Sequence, residues 1–194
     1  MRQYLNRCTT PIIFCLAAMT LLFAGGCSSL KVVESWHKPV AQARPYQKVM
    51  IMAVARDEVL RETFENLVVN ELEKHQILAV ASHTVIPAAT LTSRDLVVAA
   101  VRASGCDAVL TTGPAMGGGD KKITQDGQGS VYGSGARSSY GFHDALLQTN
   151  LYDSASQELV WSATIKTFDA EKEARVSREL GRFFFEALRR DGLL

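Results

Sequence analysis

Lys48-Val49-Met50-Ile51-Met52-Ala53-Val54-Ala55 is the stretch that decides the fold. Its apolar run is nearly unbroken, as in a strand buried on both faces, and such strands belong to sheets covered by helices. Asp57 follows as a helix cap, and Leu60, Phe64, Leu67, Val68 and Leu72 recur at helical spacing after it. Ile77 to Ala81 reads as a second short strand. Thr92 opens the next helix, with Asp95 three residues on as a variant capping box, and Leu96, Val97, Ala100 and Val101 as its apolar face. Gly105 ends that helix, and Asp107 to Thr112 is a third strand. Strand alternating with helix implies parallel pairing through right-handed crossovers.

The pattern then changes. His143 to Asp153 and Glu158 to Phe168 flank Ser154-Ala155-Ser156-Gln157, and each run alternates. Leu147, Thr149 and Leu151 share one face of the first run; Leu159, Trp161, Ala163 and Ile165 share one face of the second. That is a hairpin with one covered face. A final helix follows Asp169, with Val176, Leu180, Phe183, Phe184, Ala187 and Leu188 in one stripe. Glu171 and Glu173 suit its positive end, Arg189 and Arg190 its negative end, and Gly192 closes it. The expected fold is α/β (α+β): a five-stranded mixed sheet, β-α-β-α-β followed by a hairpin and a C-terminal helix. The first strand lies between the second and third, and the hairpin lies beyond the third.

Upstream, Arg2 and Arg7 precede an apolar run from Pro11 to Phe23, then Ala24-Gly25-Gly26-Cys27-Ser28-Ser29. A basic start, a short apolar core and small residues before a cut form a secretory signal. At about 1.5 Å per residue, the run covers about 20 Å, short of the ~30 Å hydrocarbon core. The expected division is a signal over 1–26, a lipidated tether over 27–47 and one α/β domain over 48–194. Pro39 and Pro45 interrupt the tether, and Val32-Val33 offers a short edge strand.

Removing 1–26 takes Arg2 and Arg7 and no acid, so the formal charge becomes 19 − 20 = −1. A near-neutral chain lacks the basic face that nucleic acid requires, and the same balance argues against electrostatic binding to a membrane. Cys8 and Cys15 leave with the signal, Cys27 is the lipid attachment residue, and Cys106 remains, buried at the start of a strand.

Residues 113–141 hold 9 of the 14 glycines, and few apolar groups offset their ordering entropy. The expectation is a mobile loop between strands, or a flexible arm whose Tyr132, Tyr140 and Phe142 order on a partner. Gly133-Ser134-Gly135-Ala136-Arg137-Ser138 lacks the third glycine of a dinucleotide loop and precedes a strand-like run. His37, His75, His83 and His143 show no metal-ligand spacing. No G-x-S-x-G elbow occurs. The acids of 57–73 and 169–179 alternate with Lys and Arg as on solvated helix faces. No cofactor, metal or catalytic residue is expected.

Ala24-Gly25-Gly26-Cys27 resembles the bacterial lipobox, although Ala24 stands where the family prefers Leu or Val. That resemblance implies diacylglycerol and palmitate on Cys27. Ser28, in place of an Asp, implies the periplasmic face of the outer membrane. Leu151-Tyr152-Asp153, Glu158-Leu159-Val160-Trp161-Ser162 and Ala187-Leu188-Arg189-Arg190-Asp191-Gly192-Leu193-Leu194 resemble bacterial envelope lipoproteins of unknown function. Over about 48–190 the pattern is similar to the α/β domain of the TolB amino-terminal region and of curli-secretion and penicillin-binding-protein-activating lipoproteins. The resemblance implies a non-enzymatic accessory or scaffold, with a membrane partner through Cys27 and an envelope protein partner. The alternatives are a periplasmic small-ligand carrier and an enzyme with a dispersed site.

Overall fold

The computed structural model describes residues 29–39, 45–55, 57–91, 93–115, 145–168 and 173–194. The strands are β1 (Leu30–His37), β2 (Lys48–Ala53), β3 (Leu78–Ala81), β4 (Ala108–Pro114), β5 (Leu146–Asp153) and β6 (Leu159–Thr167). The helices are α1 (Glu58–Glu73), α2 (Arg94–Ser104) and α3 (Glu173–Arg190). The strands form one sheet in the order β1-β6-β5-β4-β2-β3. β2 is parallel to β3 and to β4, while β4, β5, β6 and β1 are successively antiparallel.

The sheet therefore has six strands, not the expected five. β1 comes from the stretch read as tether, and it pairs with β6 from Leu30↔Thr167 to His37↔Trp161, with a bulge near Val33. β1 is largely exposed on both sides, so no hydrophobic alternation marks it. The expected short edge strand at Val32-Val33 falls within it; its full length comes from the β6 ladder, which a local reading cannot see. The other five strands stand in the expected order.

Two helices cover one face. There Val49, Ile51, Leu110, Leu147, Leu151, Trp161 and Ile165 pack against Phe64, Val68 and Leu72 of α1 and Val176, Leu180, Phe184 and Leu188 of α3. α1 and α3 approach closely at Gly181, where a Cβ would stand 2.9 Å from the Glu71 Cβ. The other face is covered in its β2–β4 half by α2, where Met50, Met52 and Val109 meet Val97 and Val101. Cys106 is a free thiol buried in this smaller cluster, two residues ahead of β4 rather than within it.

Local signals set the element ends. The Asp57 carboxylate accepts the Leu60 N–H at 3.0 Å as an N-cap. Gly105 and Gly192 adopt φ of 66° and 73°, the left-handed conformation that stops a helix at low cost. The α2 start differs from expectation: Ser93 is the cap residue and makes no side-chain capping bond, and Thr92 lies outside the described residues. At the β5–β6 turn, Gln157 has φ 62°, and Asp153 Oδ1 accepts from Ser156 N at 2.6 Å and Ser156 Oγ at 2.8 Å. Burial would raise the Asp153 carboxyl, but the Ser156 and Tyr46 bonds outweigh it and hold it below its ordinary value. Within the Tyr152-Asp153 motif, Asp153 thus acts as the turn lock.

Candidate functional site

Cys27, the expected lipid attachment residue, lies outside the described residues, as do 116–141 of the Gly-rich insert with Tyr132 and Tyr140, and 142–144 after it with Phe142 and His143. Gly113 to Ala115 of the insert are described; Gly113 and Pro114 are the last residues of β4. Ser29 is the first described residue, two positions beyond Cys27. It is 5% exposed. Its N–H donates to Glu179 Oε2 at 2.9 Å, and its carbonyl accepts from Phe168 N at 2.9 Å. Burial pushes the Glu179 carboxyl up, yet the Arg175 and Ser29 bonds prevail and hold it below its ordinary value. The chain is therefore fastened to α3 and β6 before β1 begins.

Around this corner the register assembles one surface. Lys31 stands directly opposite Lys166, and Lys166 directly opposite Leu146. Residues paired this way point to the same side of a sheet. Phe168 is two positions beyond Lys166, with the Lys166 ammonium 5.1 Å over its ring. Leu146 and Phe168 are 40% and 39% exposed.

A second polar group lies nearer β3 and is closed. Glu65 on α1 has no exposed surface. Its Oε1 accepts from Ala53 N at 2.8 Å, Arg61 Nε at 3.2 Å and Ser82 Oγ at 2.6 Å. Its Oε2 accepts from His83 N at 2.7 Å and lies 2.9 Å from His83 Nδ1. A carboxylate offers about four lone-pair sites, so this one is saturated. Arg61 Nη2 donates to Ser82 Oγ and to the Ile86 carbonyl, both at 2.9 Å. Its buried Nη1 has no hydrogen-bond partner and lies 3.9 Å from Glu58 Oε1. The group ties the end of β2, α1 and the turn after β3 together. The expectation of solvated acids over 57–73 fails at Glu65 and Glu71, both buried. Arg61 and Glu65 are four residues apart, and both fall one step from the Phe64–Val68–Leu72 stripe. That phase, which places them over the sheet, is the sequence signal for their burial.

On the uncovered half of the second sheet face lies a ladder of side-chain bonds. Gln148 Nε2 donates to Ser162 Oγ at 2.7 Å and to Asn150 Oδ1 at 3.1 Å, and Thr164 Oγ1 donates to Gln148 Oε1 at 2.9 Å. Burial raises the Tyr152 hydroxyl at its end. Elsewhere, Trp161 Nε1 donates to Asp191 Oδ2 at 2.9 Å beneath Arg190. Burial works against the Asp191 charge, and the Arg190 and Trp161 bonds overcome it, so that carboxyl is held low. This pins the C-terminal turn to β6.

His37 lies 3.8 Å from Asp191, His75 stacks on Phe185 and His83 meets Glu65. The three do not converge, and among the described residues no three of His, Cys, Asp and Glu gather as a metal site. No described helix is long and apolar enough to cross a membrane. The sheet's outer strands are β1, with Val33 57% exposed, and β3.

No known protein family matches the chain, and no curated protein is similar to it. Among solved structures, the chain is similar to the PelC dodecamer from Paraburkholderia phytofirmans, at TM-score 0.46 and 14% identity, over 85% of this chain and 99% of that one. A point variant of the same PelC gives TM-score 0.45 and 15% identity, over the same shares. A likeness of this degree carries no functional argument.

Proposed function

We propose that the chain is a lipoprotein of the outer membrane, facing the periplasm, anchored through Cys27. In this reading it acts as a non-enzymatic accessory or scaffold for an envelope protein assembly. The observation that supports the reading most directly is the burial of Ser29. With a lipid on Cys27, only Ser28 separates the acylated residue from the folded body. The fold is then held against the bilayer rather than on a long tether. The signal over 1–26 supplies export and Cys27 the attachment, and the outer strands β1 and β3 offer backbone for strand addition by a partner.

Cys27→Ser in intact cells tests the anchor. The expected result is transfer of the chain from the membrane to the soluble periplasmic fraction; unchanged membrane association overturns lipid attachment. Crosslinking in cells from positions on β1 tests the scaffold. It is expected to trap the same envelope protein in repeated captures, and captures without a recurrent neighbour overturn that role.

A further inference from the structure

We propose that Lys31, Leu146, Lys166 and Phe168 form a docking surface for an anionic phospholipid bilayer, the membrane on which the anchored chain sits. The inference rests on the anchor reading above, and it departs from the expectation drawn from net charge because the contact is local to one corner, where the register brings two lysines together. Its first support is the lysine pair. Like charges directly opposite across an antiparallel ladder are destabilising, yet Lys31 faces Lys166. Lys38 pairs with Glu158, Lys48 donates to the Ser104 carbonyl and Lys74 pairs with Glu71. Among the described lysines, only the side chains of Lys31 and Lys166 make neither an ion pair nor a hydrogen bond; Lys166 has the Phe168 ring. Among the described residues no acid forms an ion pair with either lysine, Glu34 opposite Thr164 on the same side included, and a phospholipid phosphate supplies the missing charge.

The second support is the setting. Leu146 and Phe168 put exposed apolar surface beside the two ammonium groups. Apolar side chains flanked by lysines suit the boundary between headgroups and acyl chains. The third is reach. Lys31 is four residues from Cys27, and four residues span at most about 14 Å. The headgroup layer is about 5–8 Å deep on each side of the hydrocarbon. An acyl chain on Cys27 therefore keeps this corner within reach of the phosphates.

The test uses the processed protein purified from membranes. It is reconstituted into vesicles of phosphatidylcholine alone or mixed with phosphatidylglycerol, and its lysines are labelled with a water-soluble amine reagent. Lys31 and Lys166 are expected to be protected severalfold on the phosphatidylglycerol vesicles relative to detergent, with Lys38 and Lys74 unchanged as references. Equal labelling of all four in every setting overturns the surface, and equal protection on both vesicle types overturns its charge selectivity.

The mass of the amino-terminal peptide separates the two readings. A diacylated Cys27 with unprotected lysines removes the surface and leaves the anchor. An unmodified Cys27 removes the anchor, and the protein is then added to phosphatidylglycerol vesicles from solution. Binding that falls about fivefold for each of Lys31→Gln and Lys166→Gln, equivalent to about 1 kcal/mol per lysine, keeps the surface. Absence of such binding removes both. Both changes are on exposed strand positions, and an unaltered unfolding midpoint confirms that each variant is folded.

Discussion

At the end of the sheet where β2 and β4 finish and β1 and β5 begin, two polar sites handle charge in opposite ways. Toward β3, the Glu65 carboxylate is buried and collects five donor contacts from β2, α1 and the turn after β3. Toward β1, Lys31 and Lys166 face each other, and no acid among the described residues is bonded to either. The first site is complete within the chain; an internal partner satisfies each oxygen, and nothing is left for a substrate. The second is incomplete, and incompleteness at an exposed corner is what points outward. A charge with all its partners inside the fold argues for architecture, and a charge without one argues for something the fold meets.

The closed site gives the largest expected effect. Glu65→Leu leaves Arg61 buried without its counter-ion, and removing one partner of a buried pair costs about 3–5 kcal/mol. The urea midpoint is expected to fall accordingly. The double variant Arg61→Leu with Glu65→Leu sharpens the point, because replacing both partners by apolar side chains is often close to neutral. Recovery of much of the lost stability identifies the pair as a mutual dependency. If the double variant is as unstable as the sum of the two singles, the Ala53, Ser82 and His83 contacts carry the site instead.

Glu179 stands between the two sites in character, partly exposed yet bonded to Arg175 and to the Ser29 N–H. Glu179→Gln weakens charge-assisted bonds and is expected to cost about 1–2 kcal/mol, read from the same midpoint. Acid gives a parallel reading. Glu179, Asp153 and Asp191 are all held below their ordinary values of 4.5, 3.8 and 3.8. A carboxyl with a lowered folded value binds its proton more weakly in the folded state. Its contribution is complete above the unfolded value and is lost as pH falls through the folded one. The unfolding temperature is therefore expected to hold down to about pH 4.5 and to drop below it. The drop should be shallower in Glu179→Gln; an identical profile removes Glu179 from the acid response.

The strand order of β3, β2, β4, β5 and β6 was legible because apolar runs alternate with helical patterns up to β4, which implies parallel pairing, and a short turn joins the alternating runs of β5 and β6. The α3 stripe was legible because Val176, Leu180, Phe184 and Leu188 recur at four-residue spacing over more than three turns. β1 was not. Leu30 to His37 has little burial to impose a pattern, and its pairing partner lies more than a hundred residues away. Arg61 and Glu65 were misread for a related reason. Charge at i, i+4 looks the same on a wet helix face and on a buried one, and only their position next to the apolar stripe distinguishes the two. The open corner combines both difficulties, since it exists only after β1 is placed beside β6 and β6 beside β5.

Lys31→Glu gives the smallest effect on stability and the sharpest contrast with Glu65. It replaces a like-charge cross-strand pair by an opposite one facing Lys166, and such pairs contribute about 0.2–1 kcal/mol. The expected result is a small rise in the urea midpoint, where Glu65→Leu gives a large fall. On phosphatidylglycerol vesicles the same change should weaken attachment, because it removes one cation and recruits the other into an internal pair. Gain in stability with loss of membrane contact is the signature of a residue kept for an external partner. A fall in stability instead would mean that Lys31 already has a favourable role within the sheet, and the contrast between the two sites would be gone.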